Sequence, residues 1–420
     1  MSDCDVLVIG AGPGGSSAAY WLAKQGLSVI AVEKKTFPRE KTCGDGLTPR
    51  SVYQLEAMGM ADFLSKQHRY SGLRAVAFKR DMELNWPNHP DLPNYGYVVT
   101  RFDLDAAVAN NAVSAGAKII QGAEAISVTK SSSGQIDSVS VKVKASDETL
   151  IFRPKFVIVA DGSNSRIGRQ LGVARDRSLP MGLALRGYFS SPMSNDKFIE
   201  SHLDIRTKDG EILPGYGWIF PLGDGRVNVG IGLLSTLGKW KDVNTTKVME
   251  AFVEQAPKRW GLSLSDPLYT PTGGKLPMGF SLGPRSGPNY LIIGDASGAI
   301  NPFNGEGIAY AYETGRIAAD VIGDAIKQNN FRSLERYDRI IDKRYADYYA
   351  VGRAFVSLIG KPIIMRSAVN LGIHSKTIMT PLVRIMANLM REDNKGLPEF
   401  TYQTGLALVK LKNAVMSKKF

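Results

Sequence analysis

The chain has 420 residues, 44% of them hydrophobic and 22% charged, which exceeds the usual single-domain size and predicts two intertwined domains with cores large enough to need no disulfide support. Its two cysteines, Cys4 and Cys43, have neither metal-site nor disulfide-framework spacing, so a small stapled scaffold is excluded and a reducing, cytoplasmic setting is expected. The net charge of +12 is not accompanied by an aromatic-flanked basic groove or a helix-turn-helix pattern, which argues against nucleic acid, and no charge-free apolar stretch of eighteen residues spans a bilayer.

In chain order, the apolar run Asp5 to Ile9 enters Gly10-Ala11-Gly12-Pro13-Gly14-Gly15. Asp3 and Asp5 stand where a signal peptide would be basic, so this start reads as strand, turn and helix. The helix is expected from Ser16 to Gln25 with Gly26 as its C-cap, and Ser28 to Val32 make a second buried strand. Glu33 closes this β-α-β unit, and Lys34 to Arg50 have the Pro, Gly and Asp content of a loop. Ser51 to Lys66 read as helix, Arg69 to Trp86 as strands, and Arg101 to Ala115 as helix. Ala123 to Phe152 alternate around Ser131-Ser132-Ser133-Gly134 as a β-meander, followed by the buried strand Phe156 to Ala160. Strand patterns fill Gly182 to Gly232, and Tyr290 to Ile293 is a short buried strand before Gly294-Asp295. Helices are expected over Ile308 to Lys327, Leu334 to Ile359 and Ser367 to Met390.

The glycine loop carries a specific physical demand. Gly10 permits the tight bend, Gly12 lets the backbone approach a pyrophosphate, and Gly15 lets helix and strand pack closely. Pro13 and Gly14 complete the turn, and the helix start behind it offers free N–H groups and a positive dipole end. Glu33 lies 23 residues after Gly10, the right separation for ribose hydroxyls, and its carboxylate would repel a 2′-phosphate. FAD or NAD therefore fits this turn and NADP does not.

Three further segments resemble the flavoprotein hydroxylase superfamily: Arg101-Phe102-Asp103-Leu104-Asp105, Asp161-Gly162-Ser163-Asn164-Ser165-Arg166, and Gly294-Asp295-Ala296 with Pro302. The resemblance implies FAD. It also implies an α/β fold in which a Rossmann-like FAD-binding domain of the p-hydroxybenzoate hydroxylase type is interleaved with an antiparallel-sheet substrate domain and followed by a C-terminal helical region. In that superfamily the Gly-Asp aspartate, here Asp295, holds the ribityl chain, and the helix begun by Gly305-Glu306-Gly307 and Ile308 points at the pyrimidine edge of the flavin. Arg101, Asp161 and Gly162 are expected at FAD by the same resemblance, as are Lys34, Ala125, Cys43, Gly44, Asp45 and Gly46. A positive helix end suits the negative charge that a reduced flavin carries near N1 and O2. The expected division is 1–70, 96–180 and 272–330 for FAD, 71–95 and 181–271 for substrate, and 331–420 for the helical region.

Two stretches narrow the family. Lys41-Thr42-Cys43-Gly44-Asp45-Gly46-Leu47-Thr48-Pro49-Arg50 and Pro214-Gly215-Tyr216-Gly217-Trp218-Ile219-Phe220-Pro221, with Gly230 nine residues on, resemble the geranylgeranyl reductase family. Within it the chain looks most similar to the reductases that saturate one isoprene unit of menaquinone. The resemblance implies reduction of an isolated prenyl C=C bond by reduced FAD, with hydride from N5 and a proton to the neighbouring carbon. It points to Cys43, Tyr216 and Trp218 as catalytic and to Tyr216, Trp218, Phe220 and Pro221 as substrate-binding. Geranylgeranyl diphosphate, chlorophyll or phospholipid chains are the alternative substrates.

Read from the residues alone, Tyr216, Trp218 and Phe220 share one face of a strand, either as core filling or as a wall for an apolar chain. Cys43 is either a small buried hydrophobe or a proton donor, and Asp45 and Arg50 would brace its loop by a local ion pair. A flavin monooxygenase or halogenase is the competing class, although the halogenase signature Trp-x-Trp-x-Ile-Pro is only half matched. A quinone-linked electron-transfer flavoprotein would need an iron–sulfur relay, which two cysteines cannot bind. His68, His89, His202 and His374 stand alone, so no metal and no histidine base are assigned. There is no second dinucleotide turn, so electrons must come from docked NAD(P)H or from another reductant.

From Phe331 to Phe420, sixteen Lys and Arg face seven Asp and Glu, so this region carries nine of the twelve net positive charges. Ile378, Leu382, Ile385, Met386 and Leu389 repeat at helical spacing beside Lys376, Arg384 and Arg391, with Pro381 marking a break or first turn. This is either a peripheral membrane helix or an ordinary helix with a solvated basic face.

Overall fold

The computed structural model describes residues 3–213, 215–235, 243–265, 267–391 and 396–417. Pro214, with which the second family motif opens, lies outside them.

Five parallel strands form the central sheet in the order Tyr290–Ile292, Pro154–Val159, Cys4–Ile9, Val29–Glu33 and Lys118–Gln121. Both faces are covered, so these strands are continuous apolar runs. Val6, Val8, Phe156 and Ile158 pack with the helices Pro13–Lys24 and Ile308–Lys327. Leu7, Ile9, Val157 and Val159 pack with Ile136, Val139 and Val141 of a three-stranded antiparallel sheet.

A second sheet of seven strands runs in the order Thr272–Pro277, Met181–Ser190, Arg226–Leu234, Gly215–Pro221, Phe198–His202, Gly72–Ala77 and Arg80–Asn85. All pairings are antiparallel except Phe198–His202 beside Gly72–Ala77. The chain therefore enters this sheet from between segments of the first, which produces the interleaving. Residues 272–277, expected with the FAD segments, instead form an edge of the large sheet along Met181–Arg186. Their Thr-Gly-Gly-Lys run has no apolar alternation by which to announce a strand.

The helix expected from Ser51 to Lys66 is divided into Pro49–Ala57 and Ala61–Leu64, because Gly59 takes φ +77° between them. The C-terminal region folds as Glu335–Ile359, Pro362–Gly372, Lys376–Met386 and Leu397–Ser417, so the single helix expected from Ser367 to Met390 is two, and the last was not anticipated. Among the described residues no single helix is long and apolar enough to cross a membrane.

The apolar set read as either a membrane-facing or an ordinary packed helix face is largely internal. Ile385 and Leu389 are 6% and 1% exposed, Met386 packs on the main core, Leu382 packs beneath the large sheet, and only Ile378 is open. Periodicity identified the apolar face correctly, but the face turns inward because the large sheet's own apolar surface competes for it. The exposed apolar side chains of this region are instead Ile363, Leu371, Leu397, Phe400, Leu408 and Leu411.

Candidate active site

The glycine loop leaves strand Cys4–Ile9 with Gly10 at φ +96°, where a side chain would fall 2.5 Å from the Ala160 carbonyl oxygen. A side chain on Gly15 would fall 1.8 Å from the Gly10 oxygen, so helix and strand touch there. Gly12 differs: a Cβ would meet only the Arg39 guanidinium at 3.6 Å. The protein itself does not need glycine at this point, and the open space lies where the loop would receive a phosphate. Pro13 opens the helix, and Gly14 packs against Ala311 of the helix Ile308–Lys327.

Glu33 accepts from the Ala11 N–H at 3.0 Å and the Lys35 N–H at 3.1 Å, and is buried, whereas Lys34 beside it is exposed. Arg39 bridges outward from Glu33 to Asp105 at 2.9 Å, and Asp105 holds Arg101 through two bonds of 2.6 and 2.8 Å. Asp161 accepts from the Arg166 and Ile167 N–H groups while its Oδ1 is buried without a partner, and Gly162 follows at φ +86°. Ala125 lies in the strand Ala123–Lys130 opposite Val141, within the core below the site.

Asp295 stands beside Gly307, where a Cβ would lie 3.3 Å from its carboxylate oxygen. Gly307 is the N-cap of the 20-residue helix Ile308–Lys327 and no side chain caps it, so the first N–H groups of that helix are left for another acceptor. The uncapped helix end, the partnerless Asp161 oxygen and the open space at Gly12 together fit FAD. Gly10, Gly12, Gly14, Gly15, Arg101, Asp161, Asp295 and Gly307 are the residues that would hold it.

Opposite stands the large sheet. Tyr216, Trp218 and Phe220 alternate along Gly215–Pro221, with successive ring centroids 5.8 and 6.3 Å apart, while Ile219 turns into the core behind. Pro221 ends the strand, buried. Gly44 and Gly46 lie against the Phe220 ring, where a Cβ on either would stand 3.1 Å away. The Tyr216 hydroxyl donates to the Asn304 carbonyl at 2.8 Å, so the aromatic strand reaches from the Cys43 loop to the segment before Gly305.

A buried network fixes the Cys43 loop. Asp45 has φ +64° and no exposed surface, and it accepts from the Arg101 N–H, the Tyr188 hydroxyl and the Asn228 amide. Asn228 also donates to the Cys43 carbonyl at 2.9 Å and accepts from the Trp218 indole at 2.9 Å. Asp45 and Arg50 do not pair. Arg50 instead binds Glu313 at 2.6 Å, because Asp45 points into the sheet while Arg50 points into the helices.

Burial pushes the Cys43 thiol up despite the Arg101 guanidinium beside it, so the thiol is protonated at neutral pH. Burial, followed by the nearby thiol, pushes the Tyr216 hydroxyl up to about 12. Asp45 is raised to about 6 by burial, against the pull of Tyr188, Arg186, Asn228 and Arg101.

Asn228 and Tyr188 were not singled out from the sequence. The available signal was Asn228 between Val227 and Val229 in an otherwise apolar strand, a polar residue that burial would oblige to find partners. A cavity of about 620 Å³ lined by Arg69, Trp86, Tyr95 and Lys376 lies apart from these residues, at the junction with the C-terminal helices. Among the described residues, no group of His, Cys, Asp or Glu is placed to hold a metal ion.

Residues 3–208 match an FAD binding domain and residues 193–263 a geranylgeranyl reductase catalytic domain. The chain is 38% identical to a menaquinone reductase of Mycolicibacterium smegmatis over 93% of either chain. A geranylgeranyl bacteriochlorophyll reductase-like structure from Thermoplasma acidophilum superposes with TM-score 0.79 at 25% identity, covering 97% of this chain and 99% of that one. A flavin-dependent brominase superposes with TM-score 0.75 at 17% identity, covering 97% and 99%, a likeness of fold alone.

Proposed function

The chain belongs to the geranylgeranyl reductase family of FAD-dependent oxidoreductases, which act on C=C bonds, and we propose that its substrate is a menaquinone-type prenyl lipid, one isoprene unit of whose side chain it saturates. The observation that carries this reading is the contact of Gly44 and Gly46 with the Phe220 ring, which lays the Cys43 loop along an aromatic strand beside the residues that would hold FAD. The 38% identity to a menaquinone reductase along nearly the whole chain supports the choice of lipid.

An isolated alkene offers no oxyanion or metal ligand to bind, so orientation must supply most of the acceleration. Reduced FAD supplies a hydride from N5. In this reading Tyr216 and Phe220 hold the apolar chain and exclude water, and Trp218, its N–H engaged by Asn228, keeps the strand rigid. Cys43 holds a proton at Sγ, since burial disfavours the thiolate. Hydride to one carbon and this proton to its neighbour complete the saturation, and solvent restores the thiol.

Electrons reach the flavin from transiently docked NAD(P)H or another reductant. The lipid is drawn from the inner face of the cell membrane, where the basic C-terminal helices make peripheral contact. Ile363 and Phe400 are 82% and 68% exposed there, and Lys361, Arg366 and Lys412 stand nearby in sequence. Such cations are worth about 1 kcal/mol each near an anionic surface. Flotation with anionic vesicles at low salt tests this contact: the protein should float with them, and its absence from the vesicle fraction would refute membrane attachment.

Substrate choice is tested by offering the reduced enzyme menaquinone, geranylgeranyl diphosphate and a geranylgeranyl phospholipid in competition. Menaquinone should be consumed first; preference for either of the others would reassign the lipid within the same chemistry.

A further inference from the structure

Glu306 lies just before the N-cap of the helix Ile308–Lys327, and its surroundings are unusual for a carboxylate. Its Oε1 accepts from the Thr48 hydroxyl and, at 3.4 Å, from Ser51, while its Oε2 is buried with no hydrogen-bond partner. Its backbone is held on both sides, the N–H by the Asn304 side chain at 3.0 Å and the carbonyl by the Asn301 N–H at 2.8 Å. The charged and titratable groups that face it are Arg50 from the helix Pro49–Ala57, Glu313 and Tyr310 from the helix Ile308–Lys327 that follows it, Tyr348 from Glu335–Ile359 and Tyr70 from His68–Tyr70. Arg50 is already paired with Glu313 at 2.6 Å, so among the described residues it offsets a Glu306 carboxylate only in part. Its neighbours Gly305 and Gly307 adjoin Tyr216 and Asp295, at the end of the site where FAD fits.

We propose that Glu306 is the redox-linked proton site of this flavoenzyme: it binds one proton when the flavin is reduced and releases it when the flavin is reoxidised. Two electrons delivered as hydride add one negative charge to the site. A buried carboxylate close by, with one oxygen unpartnered, then becomes more costly, and protonation from solvent removes that cost. On substrate reduction the hydride leaves, the negative charge goes with it, and the carboxyl releases its proton to solvent. Charge and atoms balance without any further reactant. Burial raises Glu306 to about 7, which leaves it free to change state in either direction near neutral pH. The proposal rests on FAD binding and not on the identity of the lipid.

The test is potentiometry of the FAD-loaded full chain without any prenyl lipid, between about pH 6 and pH 9, for the native protein and for Glu306→Gln. Each linked proton adds a tenfold change in the redox equilibrium per pH unit, about 30 mV for a two-electron couple. Above about pH 7 the native potential should therefore fall about twice as steeply with pH as that of the variant. Equal slopes in two proteins with the same flavin absorption would overturn the proposal. If Glu306→Gln does not retain FAD, Thr48→Val decides: without the hydroxyl that favours the charged form, the steep region should move to higher pH, and an unmoved profile would overturn it. Loss of prenyl reduction with these slopes intact would instead refute the substrate reading.

Discussion

The Trp218 indole N–H donates to the side-chain oxygen of Asn228 at 2.9 Å, and the amide nitrogen of the same Asn228 reaches Asp45 and the Cys43 carbonyl. One buried amide thus ties the aromatic strand to the loop that carries the thiol. Trp218 itself is 4% exposed, which makes it a brace for the wall formed by its neighbours.

Asn228→Leu removes both ends of this tie and takes away the partners of the indole N–H and the Cys43 carbonyl, while Asp45 keeps the Tyr188 hydroxyl. Unsatisfied buried groups cost about 1–3 kcal/mol each. The variant should melt several degrees lower and lose prenyl reduction more than FAD affinity; native activity in a folded Asn228→Leu protein would show the tie to be dispensable.

Glycines of the dinucleotide loop should separate into two kinds. Gly12→Ala meets only Arg39 and should fold normally while losing FAD, because the new methyl occupies the space open to a phosphate. Gly15→Ala collides with the Gly10 carbonyl and should impair folding itself. Circular dichroism and flavin absorbance on the two purified variants distinguish these outcomes.

Asp45 predicts a specific pH dependence of stability. Its folded pKa of about 6 lies above the ordinary 3.8, so its contribution to stability is full below pH 3.8 and is lost as pH rises through about 6. Two pKa units correspond to about 3 kcal/mol. Urea unfolding of the native protein and of Asp45→Asn at about pH 4 and pH 8 should show the native protein losing up to that much relative to the variant. Asparagine tolerates the positive φ at this position, so the backbone is not what changes. A pH-independent difference between the two proteins would contradict the assignment.

The dinucleotide turn was legible because its glycines obey local rules, and the structure gives Gly10 and Gly15 a steric reason while the space at Gly12 stays open. The aromatic alternation of Tyr216, Trp218 and Phe220 was equally legible, since a strand places every second residue on one face. The partners were not. Asn228, Tyr188 and Asp45 lie more than a hundred residues apart in part, and only the sheet register Tyr188 to Asn228 brings them together. Sequence also placed the apolar face of Lys376–Met386 correctly but could not tell a lipid from the core of the same protein, because both satisfy the same periodicity. Thr272–Pro277 escaped notice because an edge strand rich in glycine is held by backbone pairing alone.

Cys43→Ser should retain FAD, since a hydroxyl can keep the thiol's contacts with the Asp45 backbone and Arg101, and should lose about 10²–10⁴-fold in prenyl reduction if the thiol is the proton donor. Flavin reduction by an external reductant should be unchanged. Full turnover of the lipid in this variant would remove Cys43 from the chemistry and leave it a small packing residue.

This chain saturates a prenyl C=C bond with electrons from its own reduced flavin, and a single anaerobic turnover tests that most directly. The protein, loaded with FAD and reduced stoichiometrically without air, should reoxidise on addition of menaquinone, and the recovered lipid should be heavier by two hydrogens in its side chain. Flavin that stays reduced with unchanged lipid, yet reacts rapidly with oxygen to form a peroxyflavin, would contradict the account and favour a monooxygenase.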